Sequence, residues 1–84
     1  MASIRIRYWA AARSAAGVAE EQVDAGNCAE AIERAVARRE DPSALQRVVA
    51  ASSFLVDGVR RDRAALEGIE GPVDLEVLPP FAGG

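Results

Sequence analysis

The last seven residues, Leu78-Pro79-Pro80-Phe81-Ala82-Gly83-Gly84, hold the group in this sequence best suited to chemistry, and it is not a side chain. Pro79 and Pro80 fix their own φ angles, and Pro80 pushes Pro79 towards extended geometry, so the segment cannot fold back as helix. Residues 79–84 are therefore expected to form an extended, flexible C-terminal tail beyond a folded domain of residues 1–78. Ala82, Gly83 and Gly84 are almost free of side chains, and so slender a peptide can enter a narrow catalytic channel. Phe81 is the bulky exception, suited to lock the tail into an apolar notch on a partner. A terminal carboxylate is a poor electrophile, but ATP converts it to an acyl-adenylate with a good leaving group. A sulfur donor can then displace AMP and leave a thiocarboxylate at Gly84, a soft nucleophile that is ionised at neutral pH. The bland alternative is a disordered end in which proline and glycine serve no purpose.

Little else in the composition competes for a chemical role. With one cysteine and no histidine, the chain has no internal disulfide, no histidine general base, no triad of the usual kind and no Cys/His zinc site. Cys28 falls at the expected start of a helix, where a thiol can be activated. The competing reading, a small inert apolar filler, is preferred because cysteine is among the most often buried residue types.

The 84 residues allow one domain with a modest core, and a chain 50% hydrophobic and 27% charged is composed like an ordinary globular protein. Ten basic against thirteen acidic side chains leave a net charge of -3, so no basic footprint points to nucleic acid. All ten basic residues are arginine, which either spares the chain modification on its own amines or reflects coding bias. The small residues near the N-terminus imitate a signal cleavage site, but Arg5, Arg7 and Arg13 interrupt any continuous apolar segment. No stretch is long enough to span a membrane. A cytoplasmic location without membrane attachment is expected.

The elements that must position the tail are readable from periodicity. Ser3 to Trp9 alternates, with Ile4, Ile6 and Tyr8 on one side and Arg5, Arg7 and Trp9 on the other, as a strand with one buried face does. A loop of small residues through Gly17 and a polar edge strand over residues 20–24 complete an expected hairpin. Asn27 with Glu30 three positions later is close to a capping box, opening a helix over Cys28 to Glu40 whose Ala29, Ile32, Ala35 and Val36 share a face. Asp41-Pro42 offers a new cap and first helical position, predicting a short second helix to about Ala51 that adds Leu45, Val48 and Val49 to the core. Phe54 to Val56, the turn dipeptide Asp57-Gly58 and the return at Val59-Arg60 read as a second hairpin. Val73 to Leu78 is a last strand with Val73, Leu75 and Val77 inward. This order predicts an α+β fold in which one main helix packs on a mixed sheet. Should the first and last strands be neighbours, Arg5 and Arg7 face Asp74 and Glu76, and Trp9 meets Leu78 near the root of the tail. Such an exposed pair would be a partner-binding patch, or merely scattered surface apolar residues.

Taken together, these residues resemble a known family, the small sulfur-carrier subunit of molybdopterin synthase within the ubiquitin-like β-grasp superfamily. The resemblance runs over nearly the whole chain. It rests on Tyr8-Trp9-Ala10-Ala11-Ala12-Arg13 with Gly17 just after, on Asp57-Gly58, and most specifically on Val77 to Gly84. Glu70-Gly71-Pro72-Val73-Asp74 departs from the Gly-Asp usual in that family before the last strand.

The resemblance implies a ubiquitin-like β-grasp fold and a division of labour in which this chain is a non-catalytic, sulfur-donating subunit. A ubiquitin-activator-like adenylating enzyme would charge Gly84 with ATP, and a sulfurtransferase system would supply sulfur. The large subunit of molybdopterin synthase would hold Pro79, Pro80, Phe81, Ala82 and Gly83 while sulfur passes to a pyranopterin precursor of the molybdenum cofactor. No cofactor or metal bound by the chain itself is implied. Three other readings stand beside it: a carrier sending sulfur to thiamine or cysteine synthesis, a ubiquitin-like tag joined through Gly84 to target lysines, and a β-grasp interaction module with a fortuitous ending.

Overall fold

The computed structural model describes residues 1–80; Phe81, Ala82, Gly83 and Gly84, and the site roles expected of them, lie outside the described residues. Strand β1, Ala2–Tyr8, buries Ile4, Ile6 and Tyr8 and turns Arg5 and Arg7 to solvent. It pairs antiparallel with β2, Glu20–Ala25, which contributes Val23 and Ala25 to the core and forms one edge of the sheet. The strand over Val73–Leu78, β5, lies parallel to β1 on its other side, with Arg5 opposite Asp74 and Arg7 opposite Glu76. Strand β3, Ser53–Val56, runs antiparallel to β5 and carries the short edge strand β4, Val59–Arg61. The result is a mixed five-stranded sheet in the order β2-β1-β5-β3-β4.

Between β3 and β4, Asp57 and Gly58 have φ of 48° and 83°. Two successive positive φ angles match the tight hairpin turn whose twist suits the flanking strands. The peptide before Pro72 is cis, and the substituted turn leaves the register of β5 against β1 intact. Gly71 is packed so closely on β1 that a Cβ there would lie 2.9 Å from the Ser3 carbonyl oxygen.

One face of the sheet is covered by helices. Cys28–Ala37 forms α2, where Asn27 Oδ1 accepts from the Glu30 amide at 2.8 Å and Glu30 reaches back to the Gly26 amide. One orphan donor of the first turn, the Glu30 amide, is thereby satisfied, together with the amide that precedes the cap. Helix α3, Pro42–Ala51, starts at proline and buries Leu45 and Val49. It is as long as α2, which ends three residues short of the expected boundary.

The expected small-residue loop after β1 is instead a helix, α1, Ala10–Ala16. Alanine has the highest helix propensity, and Ala12 and Ala16, four apart, give this segment a buried side despite its lack of large apolar residues. Gly17 closes it at φ 78°, its amide bonded to the Arg13 carbonyl, the left-handed stop that glycine favours. A 3₁₀ segment, Arg63–Gly68, lies between β4 and β5; Asp62 caps it and Leu66 fills the core.

A polar cluster joins β1, β2 and the link that follows α2. Tyr8 is 2% exposed, and its hydroxyl donates to Glu21 Oε2. Arg39 donates to Glu21 Oε1 at 2.6 Å and to the Ala16 carbonyl at 2.6 Å, and Arg38 adds a longer contact to the same carboxylate. Burial, then the hydrogen bond and charge of Glu21, push the Tyr8 phenol far above its ordinary range. Its folded pKa thus exceeds the unfolded value of about 10, so this contribution to stability is complete below about pH 10 and declines as pH rises further. Because Tyr8 is the sole tyrosine, tyrosinate absorption is expected to appear only as the protein unfolds in alkali. Ionisation while the circular dichroism is still native would contradict this.

Candidate functional site

The root of the tail is held by the centre of the sheet. β5 is hydrogen-bonded to β1 on one side and β3 on the other, so Leu78 leaves the fold from a fixed position. Pro79, half-buried, and Pro80, exposed, follow it. Trp9 stands one step beyond the Tyr8–Val77 pair, and its amide donates to the Val77 carbonyl at 3.3 Å. Trp9 and Leu78 are therefore neighbours in register at the tail's root, the side chain of Trp9 44% exposed and Leu78 half-buried.

The indole is oriented by two contacts. Its Nε1 donates to Glu76 Oε1 at 3.0 Å, and the Arg7 guanidinium lies 5.8 Å from the ring centroid. The first holds the polar edge of the ring and the second lies over its face, with 44% of the residue still exposed. Glu76 pairs with Leu55 on β3, and Ser53 with Leu78, so Leu55 joins Trp9 and Leu78 on the open face of the sheet. Leu55 was not singled out from the sequence, although its place between the buried Phe54 and Val56 dictates that it faces outward. Further from the tail, Arg5 bridges Asp74 at 3.4 Å and Glu20 at 3.8 Å. These groups are about half exposed, so the pairs set alignment more than they stabilise, at about 0–1 kcal/mol each.

Cys28 is fully buried at the start of α2, and burial, with the charge of Asp57 as a smaller influence, raises its thiol pKa. The filler reading therefore holds for it. Among the described residues no group of three or more Cys, Asp or Glu side chains is arranged to hold a metal ion. No helix among them is long and apolar enough to cross a membrane. What the arrangement can do is present a peptide from a rigid strand end beside an apolar surface.

No protein-family model matches this sequence, and no curated protein does. Several solved structures match it in shape. Small archaeal modifier protein 1 from Methanosarcina acetivorans superposes with a TM-score of 0.75 at 22% identity, over 100% of this chain and 98% of that one. A putative molybdopterin converting factor subunit 1 from Pyrococcus furiosus gives 0.74 at 20% identity, over 96% and 100%. A complex of subunits 1 and 2 of the molybdopterin-converting factor of Helicobacter pylori contains a chain that matches at 0.64 and 12% identity, over 98% and 99%. At these identities the likeness is one of architecture. The chain has the ubiquitin-like β-grasp fold, shared with small archaeal modifier proteins and with subunit 1 of molybdopterin converting factors.

Proposed function

We propose that this chain is a sulfur carrier for molybdenum cofactor synthesis, with the Gly84 carboxylate as its reactive group. In the first step the carboxylate attacks the α-phosphorus of ATP on a partner adenylating enzyme, releasing pyrophosphate and forming the acyl-adenylate. Sulfur at the oxidation level of hydrosulfide, supplied by a sulfurtransferase system, then displaces AMP and leaves the thiocarboxylate. The large synthase subunit receives the tail, with Phe81 seated in an apolar notch, and sulfur passes to a pyranopterin precursor. ATP is used by the partner, and the carrier itself needs no bound cofactor. The setting is the cytoplasm.

The observation that carries this reading is the placement of the tail's root. A strand clamped on both sides fixes Leu78, and Pro79-Pro80 alone separate it from Phe81-Ala82-Gly83-Gly84. The open-face residues Trp9, Leu55 and Leu78 offer a partner something to grip beside that exit. The matched chain of the converting-factor complex supports a large subunit as the partner.

A second reading, a ubiquitin-like protein modifier, is supported by the small archaeal modifier proteins, which match at a TM-score of 0.75, level with the 0.74 of the converting-factor subunit. The two readings share activation at Gly84 and differ in the acceptor. Intact-mass measurement on protein from its native cell separates them. The carrier is expected to show a fraction in which one oxygen is exchanged for sulfur and to co-purify with a synthase large subunit. Recovery mainly as isopeptide adducts on many proteins would establish the modifier reading. Co-purification with a thiazole or cysteine synthase would keep the chemistry and change the pathway.

A further inference from the structure

Two cross-strand charge pairs on the open face are built differently. Arg5 and Asp74, opposite each other on β1 and β5, bridge at 3.4 Å. Arg7 and Glu76 are opposite each other on the same two strands, yet no ion pair joins them among the described residues. Both turn to the indole of Trp9 instead: Glu76 Oε1 accepts from Nε1 at 3.0 Å, and the Arg7 guanidinium lies over the ring, 5.8 Å from its centroid. An aromatic ring is negative on its face and positive at its edge, so the cation over the face and the anion at the edge each meet the opposite charge.

The backbone beneath the ring is held as well. The Trp9 amide donates to the Val77 carbonyl at 3.3 Å, and the Trp9 carbonyl accepts from the Ala12 amide at 2.9 Å, so this residue ties the end of β1 to the start of α1. Two side-chain torsions are the freedom left to the indole, and the two charged neighbours restrict them. Even so, 44% of Trp9 is open to a partner.

We infer that Arg7 and Glu76 are positioning residues that set the Trp9 ring in its docking orientation before a partner arrives. The docking itself rests on the proposed binding of a synthase large subunit beside the tail's root, whereas the ordering of the ring does not. Tryptophan is among the residues that most often carry binding energy at an interface. Ordering one free side chain on association weakens binding by about two- to tenfold. A ring already set avoids that loss.

The test follows the indole N–H of the full-length protein, which has a single tryptophan, by NMR relaxation, and measures Kd for the synthase large subunit from its native cell. Wild type is expected to show an order parameter near the rigid value of about 0.85, and Glu76→Ala to lower it to about 0.6 or less. Glu76→Gln keeps an oxygen acceptor for Nε1 and should keep most of the order. In binding, Trp9→Ala is expected to weaken the complex about tenfold or more. Glu76→Ala is expected to weaken it about two- to tenfold, and to add nothing once Trp9→Ala has removed the ring. An unchanged order parameter in Glu76→Ala overturns the proposal. So does a loss of affinity from Glu76→Ala that is the same with and without Trp9, because the carboxylate would then act on the partner or on the fold and not through the ring. Should wild type itself fail to bind the large subunit, the functional reading falls, and the order parameters still decide whether the two charges set the ring.

Discussion

Adding one residue after Gly84 is expected to lower thiocarboxylate formation by at least about 10²-fold, because the reaction depends on where the carboxylate stands and not on any side chain of this protein. An extended residue advances the terminus by about 3.5 Å, and misplacement of a reacting group by about 1 Å already costs on the order of 10²-fold. Amidation of Gly84 in place should do more, since it removes the nucleophilic oxygen without lengthening the tail. Neither change touches the core: β5 ends at Leu78, and every core residue lies between Ile4 and Val77. Terminal and surface changes of this kind shift stability by no more than about 0.5 kcal/mol, or roughly 4 °C in a domain of this size. The decisive measurement is intact mass after incubation with the cognate activating and sulfur-donating enzymes, alongside thermal melts. An extended variant that is charged at the native rate would remove the Gly84 carboxylate from the mechanism, and the resemblance in fold would then say nothing about chemistry.

The parts of the fold that carry strong periodicity were legible before any coordinates. Alternation in β1 and β5 assigned Ile4, Ile6, Leu75 and Val77 to the core and Arg5, Arg7, Asp74 and Glu76 to the open face. Caps and proline placed α2 and α3, and Asp57-Gly58 placed the turn. Segments that fold through context were not legible. Helix α1 has no large apolar residue to mark a face, so its alanines read as loop until β1 and α3 supply the surfaces they pack on; the alanine run with a glycine stop was the available signal. Nor does any spacing in the sequence announce that Tyr8, Glu21 and Arg39 converge, because they come from two strands and the link between α2 and α3. The neighbourhood of Trp9 and Leu78 followed directly from pairing the first and last strands, while Leu55 required the register of a third.

Glu21→Ala is expected to be the most damaging single change at a charged residue among those considered, and the reason distinguishes it from the more conspicuous ion pairs on the open face. Arg5 makes two bridges but is about half exposed, so Arg5→Ala should cost at most about 1 kcal/mol. Glu21 and Arg39 have side chains only 13% and 11% exposed, and the carboxylate takes donors from Tyr8, Arg38 and Arg39 at once. Removing it strands a guanidinium and a phenol where water reaches them poorly, and breaking a buried pair costs about 3–5 kcal/mol. The small residual exposure argues for the lower end, about 3 kcal/mol, or a fall of roughly 12–24 °C in melting temperature. That is a large share of the roughly 4–12 kcal/mol available to a domain of this length. The damage should be directional as well. Arg39, just past the end of α2, donates to the Ala16 carbonyl at the end of α1, so loss of its carboxylate anchor loosens that helix. Glu21→Gln, which keeps an acceptor for Tyr8 but not the charge for Arg39, should fall between wild type and Glu21→Ala. Thermal melts of the three proteins together with Arg5→Ala decide the matter. Equal losses for Arg5→Ala and Glu21→Ala would show that burial does not separate the two sets of ion pairs, and the clamp on α1 would have to be sought in the apolar contacts of Ala12 and Ala16 instead.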